Sequence, residues 1–323
     1  MGNKLARKHH FLPQFYLSGF TNEDVKNNTL WVLDQTTGTQ WSSKPRNIAY
    51  RNDFYRIDVP DSEPDGFEKA LAQFEAMAAP VIKNLIQSQT LPEGDDYVIL
   101  INFIALMACR VPSRREVFDE AMSDVMHIWL QMIFQSPEHY ESYRLKMIES
   151  GRKSENPKTY EEMKQFVNDE SRYTISFHNH THLNNMMTSL NTIIPLFLDR
   201  KWSVLLADEQ TGYFICSDSP VNLHWTKPQE TIWGPGFGLR ETDVTVPLNK
   251  NILLLGRFEE ELPTQYLSRE TIAIMNSYTA IDSQRYVYSS GRDFVWYTRN
   301  NNVGTTDDLI KAILKNERDD KGI

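Results

Sequence analysis

Between residues 64 and 86 the apolar side chains Phe67, Leu71, Phe74, Met77, Ala78, Val81 and Leu85 recur at intervals of three and four. That spacing lays them along one stripe of an α-helix. Pro80 lies inside the stripe and predicts a kink or an end to its first half. A second helix is expected from about Asp95 to Arg110. Its apolar run, Tyr97 to Cys109, is interrupted by Asn102 and falls short of the ~20 residues needed to cross a bilayer, so it reads as a buried core helix. Pro112 restricts Val111 and separates a third helix, reaching about Gln135. Pro137 starts a shorter one, and Tyr160 to Val167 and Thr181 to Leu198 extend the helical centre.

On either side of this centre the pattern changes to short β-rich runs. Pro13 and Gly19 bracket a short helix. Leu30 to Asp34 and Thr39 to Ser42 flank Gln35-Thr36-Thr37-Gly38, the signature of a hairpin with a glycine-containing loop. A further strand is expected at Asp53 to Ile57. After residue 201, Ser203 to Ala207 and Gly212 to Cys216 flank Asp208-Glu209-Gln210-Thr211, and strands are expected at Asp243 to Val246, Ile252 to Leu255 and Tyr286 to Ser289. Helices at Arg269 to Ser283 and Thr306 to Lys315 complete the pattern. Gly151 to Lys158 is a polar loop. The fold class is therefore α+β: a small N-terminal β-hairpin region (1–60), a helical centre (61–200) and a β-rich region with terminal helices (201–323).

Composition narrows the class of partner. The chain has 323 residues, 40% hydrophobic and 24% charged, within the globular range. Its net charge of −9 repels a phosphate backbone over the molecule as a whole. Nucleic-acid contact would have to be local, at Lys4, Arg7 and Lys8 beside His9 and His10, or at Arg110, Arg114 and Arg115. Cys109 and Cys216 are the two cysteines, both in apolar stretches, which predicts no disulfide framework and a reducing, cytoplasmic setting. No apolar core follows the N-terminal basic residues, so no secretory signal is expected. Met1-Gly2 invites a myristoylation reading, but Ala6 stands where that motif has Ser or Thr.

Candidate chemistry falls on few residues. His178, His180 and His182 would share one face of a strand as a metal site, whereas on a helix only His178 and His182 align. No cysteine pair or downstream carboxylate motif accompanies them. His9 and His10 are adjacent and point apart in any regular conformation, so one could act as acid or base while the other packs. The bland alternative is a basic tail. Arg110-Val111-Pro112-Ser113-Arg114-Arg115 groups guanidiniums at a helix interruption, suited to phosphate or carboxylate oxygens, or else to ion pairs with Glu116, Asp119 or Glu120. Ser217-Asp218-Ser219-Pro220 would present a carboxylate at a strand end, or simply form a turn. Gly234-Pro235-Gly236-Phe237-Gly238 lacks the lysine and spacing of a phosphate-binding loop, and no G-x-S-x-G, H-E-x-x-H or C-x-x-C element occurs.

The block Lys8-His9-His10-Phe11-Leu12-Pro13-Gln14-Phe15-Tyr16-Leu17-Ser18-Gly19-Phe20 resembles the opening signature of the domain of unknown function 4238 family. The resemblance continues through Leu30 to Asp34, Pro45 to Ala49, Asp53-Phe54-Tyr55, Glu75, Phe103-Ile104-Ala105, Arg110, Pro112, Arg114, Ser217 to Val221, Pro247-Leu248, Asn276 and Arg285 to Tyr288. It implies one fold over residues 1–323, and supplies no activity. It directs attention to His9, His10, Gln14, Asn47, Asp53, Glu75, Arg110, Arg114 and Asp218, and away from His178 to His182.

Those groups are the ingredients of phosphoester hydrolysis. The expectation is a hydrolase or nuclease-like enzyme acting on RNA, DNA or a nucleotide, and a place in a bacterial toxin or phage-defence pathway would fit it. His9 or His10 would be the acid or base. Arg110 and Arg114, with Gln14 and Asn47, would hold the substrate, and Asp218 with Glu75 would orient histidine or bind a divalent ion. No membrane partner is expected. The competing expectation is a non-catalytic binding protein whose His, Arg and Asp residues form a buried network, since such groups need partners wherever they are buried.

Overall fold

The computed structural model describes residues 7–22, 28–60, 62–152, 156–230, 232–298 and 302–320. Lys4, Ala6 and the centre of the 151–158 loop lie outside them. The chain divides into two compact units, Met1–Ser113 with Leu183–Ile323, and Arg114–His182.

The elements run in chain order as β1 (Lys8–His10), α1 (Gln14–Ser18), β2 (Leu30–Asp34), β3 (Gln40–Ser43), β4 (Tyr50–Asn52), α2 (Gly66–Ser88), α3 (Gly94–Cys109) and α4 (Pro112–Ile133). Then come α5 (Pro137–Glu149), α6 (Tyr160–Val167), α7 (Asn179–Leu198), β5 (Lys201–Leu206), β6 (Cys216–Ser217), β7 (Asn222–Trp225), β8 (Thr242–Asn249) and β9 (Ile252–Arg257). Last are β10 (Gln265–Tyr266), α8 (Arg269–Ile281), β11 (Tyr286–Ser289), β12 (Trp296–Tyr297), β13 (Val303–Gly304) and α9 (Thr306–Asp320). The α+β class, with its N-terminal hairpin, helical centre and β-rich end, is the observed one.

In the larger unit a five-stranded sheet runs β10-β5-β9-β8-β7 and a four-stranded sheet runs β3-β2-β11-β6. β1 and β4 form a separate two-stranded ribbon. Helix α3 is buried from Leu100 to Cys109 except at Asn102, because a helix apolar on all sides must be surrounded. Leu12, Tyr16, Leu17 and Phe20 pack in the same core as Phe103 and Ile104 of α3 and Val246 and Leu254 of the larger sheet. The Tyr16 hydroxyl donates to the Pro247 carbonyl at 2.7 Å, fixing α1 to β8. Cys109 and Cys216 are both buried and unbridged. In the smaller unit Ile133, Phe134 and Val167 make a separate core with Tyr140 and Tyr160.

Two expectations are corrected. The strand expected at Asp53 to Ile57 is displaced to Tyr50–Asn52, because Asp53 sits at φ 54, in the left-handed region where no strand continues. The run Gly212 to Cys216 does not hairpin onto β5. Only Cys216–Ser217 is extended, and it joins β11 in the other sheet. Helix α2 runs on through Pro80, so of the kink or end expected there the end does not occur.

On the larger sheet His224 stacks against Tyr278, ring centroids 3.9 Å apart and 17° from parallel. Burial lowers its pKa from 6.5 to about 4; Asp243 opposes this and Arg257 adds to it. The unfolded chain therefore binds a proton there that the folded one refuses, so stability is lost as pH falls from 6.5 towards 4. A His224→Phe variant, which keeps the stacked ring, should remove up to ~1.4 kcal/mol per pH unit from that slope. Urea midpoints of both proteins across this range check it; identical slopes would contradict it.

Candidate functional site

The β1–β4 ribbon pairs Lys8 with Asn52, His9 with Arg51 and His10 with Tyr50. Alternation along a strand sends the two histidines to opposite faces. His9 goes inward. It is buried, its ring lies 5.8 Å from that of Tyr55 and nearly parallel, and its Nδ1 accepts the Tyr55 backbone N–H at 2.7 Å. With Nδ1 an acceptor, Nε2 is the ring nitrogen that carries a proton. His10 is half-buried on the other face, beside the Tyr50 ring at 5.6 Å, over which the Lys8 ammonium sits at 4.5 Å.

Arg110 closes α3 and is 2% exposed. Its Nη2 donates to the His10 carbonyl at 2.7 Å, its Nη1 to Glu75 Oε1 at 2.7 Å and its Nε to the Tyr55 hydroxyl at 3.2 Å. Burial alone would lower its pKa, but Tyr55 and Glu75 hold it above the ordinary value. The guanidinium stays charged even when buried, and such partners offset the cost of taking that charge out of water. His9, His10, Glu75 and Arg110, far apart in sequence, are thus brought together around Tyr55.

Glu68, which sequence reasoning passed over, belongs to the same cluster. Glu68 and Glu75 are seven residues apart on α2, two turns, hence on one face; that spacing was a usable signal. Burial raises the Glu68 pKa, as does Glu75, while His9 and Arg110 pull it down. Burial lowers that of His10; the Arg46 backbone and Glu75 oppose this, and Arg110 and Lys8 reinforce it. His10 Nε2 and Glu68 Oε2 are both buried without a hydrogen-bond partner. A neutral imidazole and a carboxyl drawn towards protonation, both under the influence of Glu75, can respectively accept and donate a proton.

Asp218 occupies a different niche. Its Oδ1 accepts the Gln284 N–H at 2.9 Å and its Oδ2 accepts those of Arg285 and Tyr286 at 3.0 Å each, so it caps the entry into β11. Burial raises its pKa against the lowering pull of these donors. It also lines a cavity of about 470 Å³ with Phe11, Tyr50, Arg51, Pro112 and Tyr286. A second cavity of about 230 Å³ shares Ala49, Tyr50, Tyr286 and Tyr288 with the first and adds Trp41 and Asn47. Gln14 is exposed at the start of α1, and its carbonyl accepts the Ser18 hydroxyl. Asp53 Oδ2 accepts from both Nη2 and Nε of Arg7, at 2.9 and 3.2 Å. Arg114 opens the smaller unit.

Within the smaller unit His178 and His180 stack at 5.5 Å, while His182 approaches Asp119 at 3.5 Å. Among the described residues no three His, Cys, Asp or Glu side chains converge as a metal-holding group. No single helix there is long and apolar enough to cross a membrane.

The family described as "Protein of unknown function (DUF4238)" matches residues 8–293. No curated protein and no solved structure matches the chain.

Proposed function

Because the chain belongs to the DUF4238 family, whose description carries no chemistry, we propose a function from the site alone: a hydrolase or nuclease-like enzyme that cleaves a phosphoester, with His10 as base and Glu68 as acid. The observation that supports it is the pair of buried, unpartnered atoms, His10 Nε2 and Glu68 Oε2, beside the Arg110–Glu75 ion pair. In this reading His10 Nε2 takes a proton from water as its oxygen bonds to phosphorus. The bond to the leaving oxygen breaks, and Glu68 returns a proton to that oxygen. Lys8, whose ammonium sits over the Tyr50 ring and acts on His10, supplies positive charge for the phosphoryl oxygens. His9 and Arg110 act as scaffold, since their polar atoms face protein groups.

The base must be neutral and the acid protonated. Activity therefore rises with pH through the lowered pKa of His10, below 6.5. It falls again through the raised pKa of Glu68, above 4.5. Bis(4-nitrophenyl) phosphate, 4-nitrophenyl phosphate and a single-stranded RNA serve as trial substrates. His10→Gln and Glu68→Gln should each lower turnover by about 10²–10⁴-fold with little change in melting temperature, and should remove the acid and alkaline limbs respectively. Turnover of none of these substrates, or undiminished turnover by folded His10→Gln, would end this reading.

One observation favours a second reading, a non-catalytic binding protein: the hydrogen-bonding arms of Arg110 and both carboxylate oxygens of Asp218 are engaged internally. Saturable ligand binding without turnover would select it.

A further inference from the structure

We propose that the paired cavities beside His10 form a nucleobase subsite, so that the ligand is a mononucleotide or a short single strand. The inference rests on the reading above for its reaction, but not for its binding. Aromatic rings line the cleft: Tyr50, Tyr286 and Tyr288 border both cavities, Phe11 borders the larger, and Trp41 borders the smaller, edge-on to Tyr286 at 6.1 Å. Charge is placed where a sugar-phosphate would leave a stacked base. Arg51 lines the larger cavity, the Arg285 guanidinium lies 5.0 Å from the Tyr286 ring, and the Lys8 ammonium lies over Tyr50. Aromatic faces with cations around them are what a base and its phosphate require, and stacking accepts any base.

The register supplies the link to the reactive group. Tyr50 stands directly opposite His10 in the β1–β4 pair, with its ring against the imidazole. A base held on Tyr50 thus carries its phosphate into the neighbourhood of His10. The larger cavity, about 470 Å³, is within the roughly 300–1,000 Å³ of small-molecule sites. The chain's net charge of −9 opposes a long polyanion, which sets the ligand as short.

Isothermal titration of the full chain with adenosine 5′-monophosphate, ribose 5-phosphate and an oligoadenylate tests the proposal. The expected result is saturable binding of the nucleotide, at least tenfold weaker binding of ribose 5-phosphate, and about a tenfold loss in Trp41→Ala. Trp41 is 37% exposed, so this variant should fold, as a thermal melt will verify. Tyr50→Leu is the companion variant, and Tyr50→Phe should restore affinity. Tighter binding of the oligoadenylate than of the mononucleotide would assign the site to a strand, and the reverse to a mononucleotide. Equal affinity for nucleotide and ribose 5-phosphate, no binding of either adenylate, or unchanged affinity in folded Trp41→Ala would overturn the subsite. Nucleotide binding lost in Trp41→Ala, with no turnover of any phosphoester, would leave the subsite standing and remove only the hydrolase reading.

Discussion

Replacing Arg110 with methionine should destabilise the protein by about 3–5 kcal/mol, the usual consequence of deleting one member of a buried ion pair. Methionine keeps much of the aliphatic volume, so the loss isolates the guanidinium. Removing it strands the Glu75 carboxylate, the Tyr55 hydroxyl and the His10 carbonyl, which now accept or share its N–H groups. It also unties β1 from the end of α3, because the His10 carbonyl belongs to β1. The melting temperature should fall by on the order of 10 °C. Adding Glu75→Gln to Arg110→Met should recover part of the loss, since the uncompensated charge is then gone, and a double-mutant cycle measures the coupling. An Arg110→Met protein within about 1 kcal/mol of wild type would show that the guanidinium is not the tie described here.

Asp218→Ala should be the second severe change. The carboxylate receives the N–H groups of Gln284, Arg285 and Tyr286, and each buried donor left unmade costs about 1–3 kcal/mol. Asp218 borders a cavity, so water can reach some of these donors, and the total should be about 3 kcal/mol. Asp218→Asn should lie between wild type and alanine, because one amide oxygen can still accept while the amide nitrogen faces an N–H. Denaturant midpoints give the order. Amide exchange should quicken at residues 284–286 in the alanine variant. Were Asp218→Ala fully stable but inactive, its carboxylate would instead be part of the reaction.

Several features were decided locally and could be read from the chain. The apolar periodicity of 64–86 specified α2, because a stripe of that spacing can be buried only on a helix. The run around residues 97–109 specified a surrounded helix, and Gln35 to Gly38 specified the β2–β3 turn. Each depends on neighbours within about one or two turns of chain, which sequence records directly. The resemblance to the family also singled out His9, His10, Glu75 and Arg110, which the fold does gather.

Tertiary structure decided what each of those residues is able to do. Adjacent His9 and His10 look equivalent in the sequence, and only pairing of β1 with β4 turned one into the core and left the other beside Tyr50. That pairing joins segments some forty residues apart, and nothing local to either segment encodes it; Lys8–His10 has no strand pattern of its own. Asp218 reads as a turn residue, and its work as a cap for β11 requires β6 and β11 to be neighbours, a contact across almost seventy residues. Glu68 carried a visible seven-residue spacing to Glu75, yet its significance rests on burial near His9 and Arg110. Sequence thus set the elements and the list of polar candidates. Desolvation and long-range hydrogen bonds, which exist only once distant segments meet, sorted that list into scaffold and candidate chemistry.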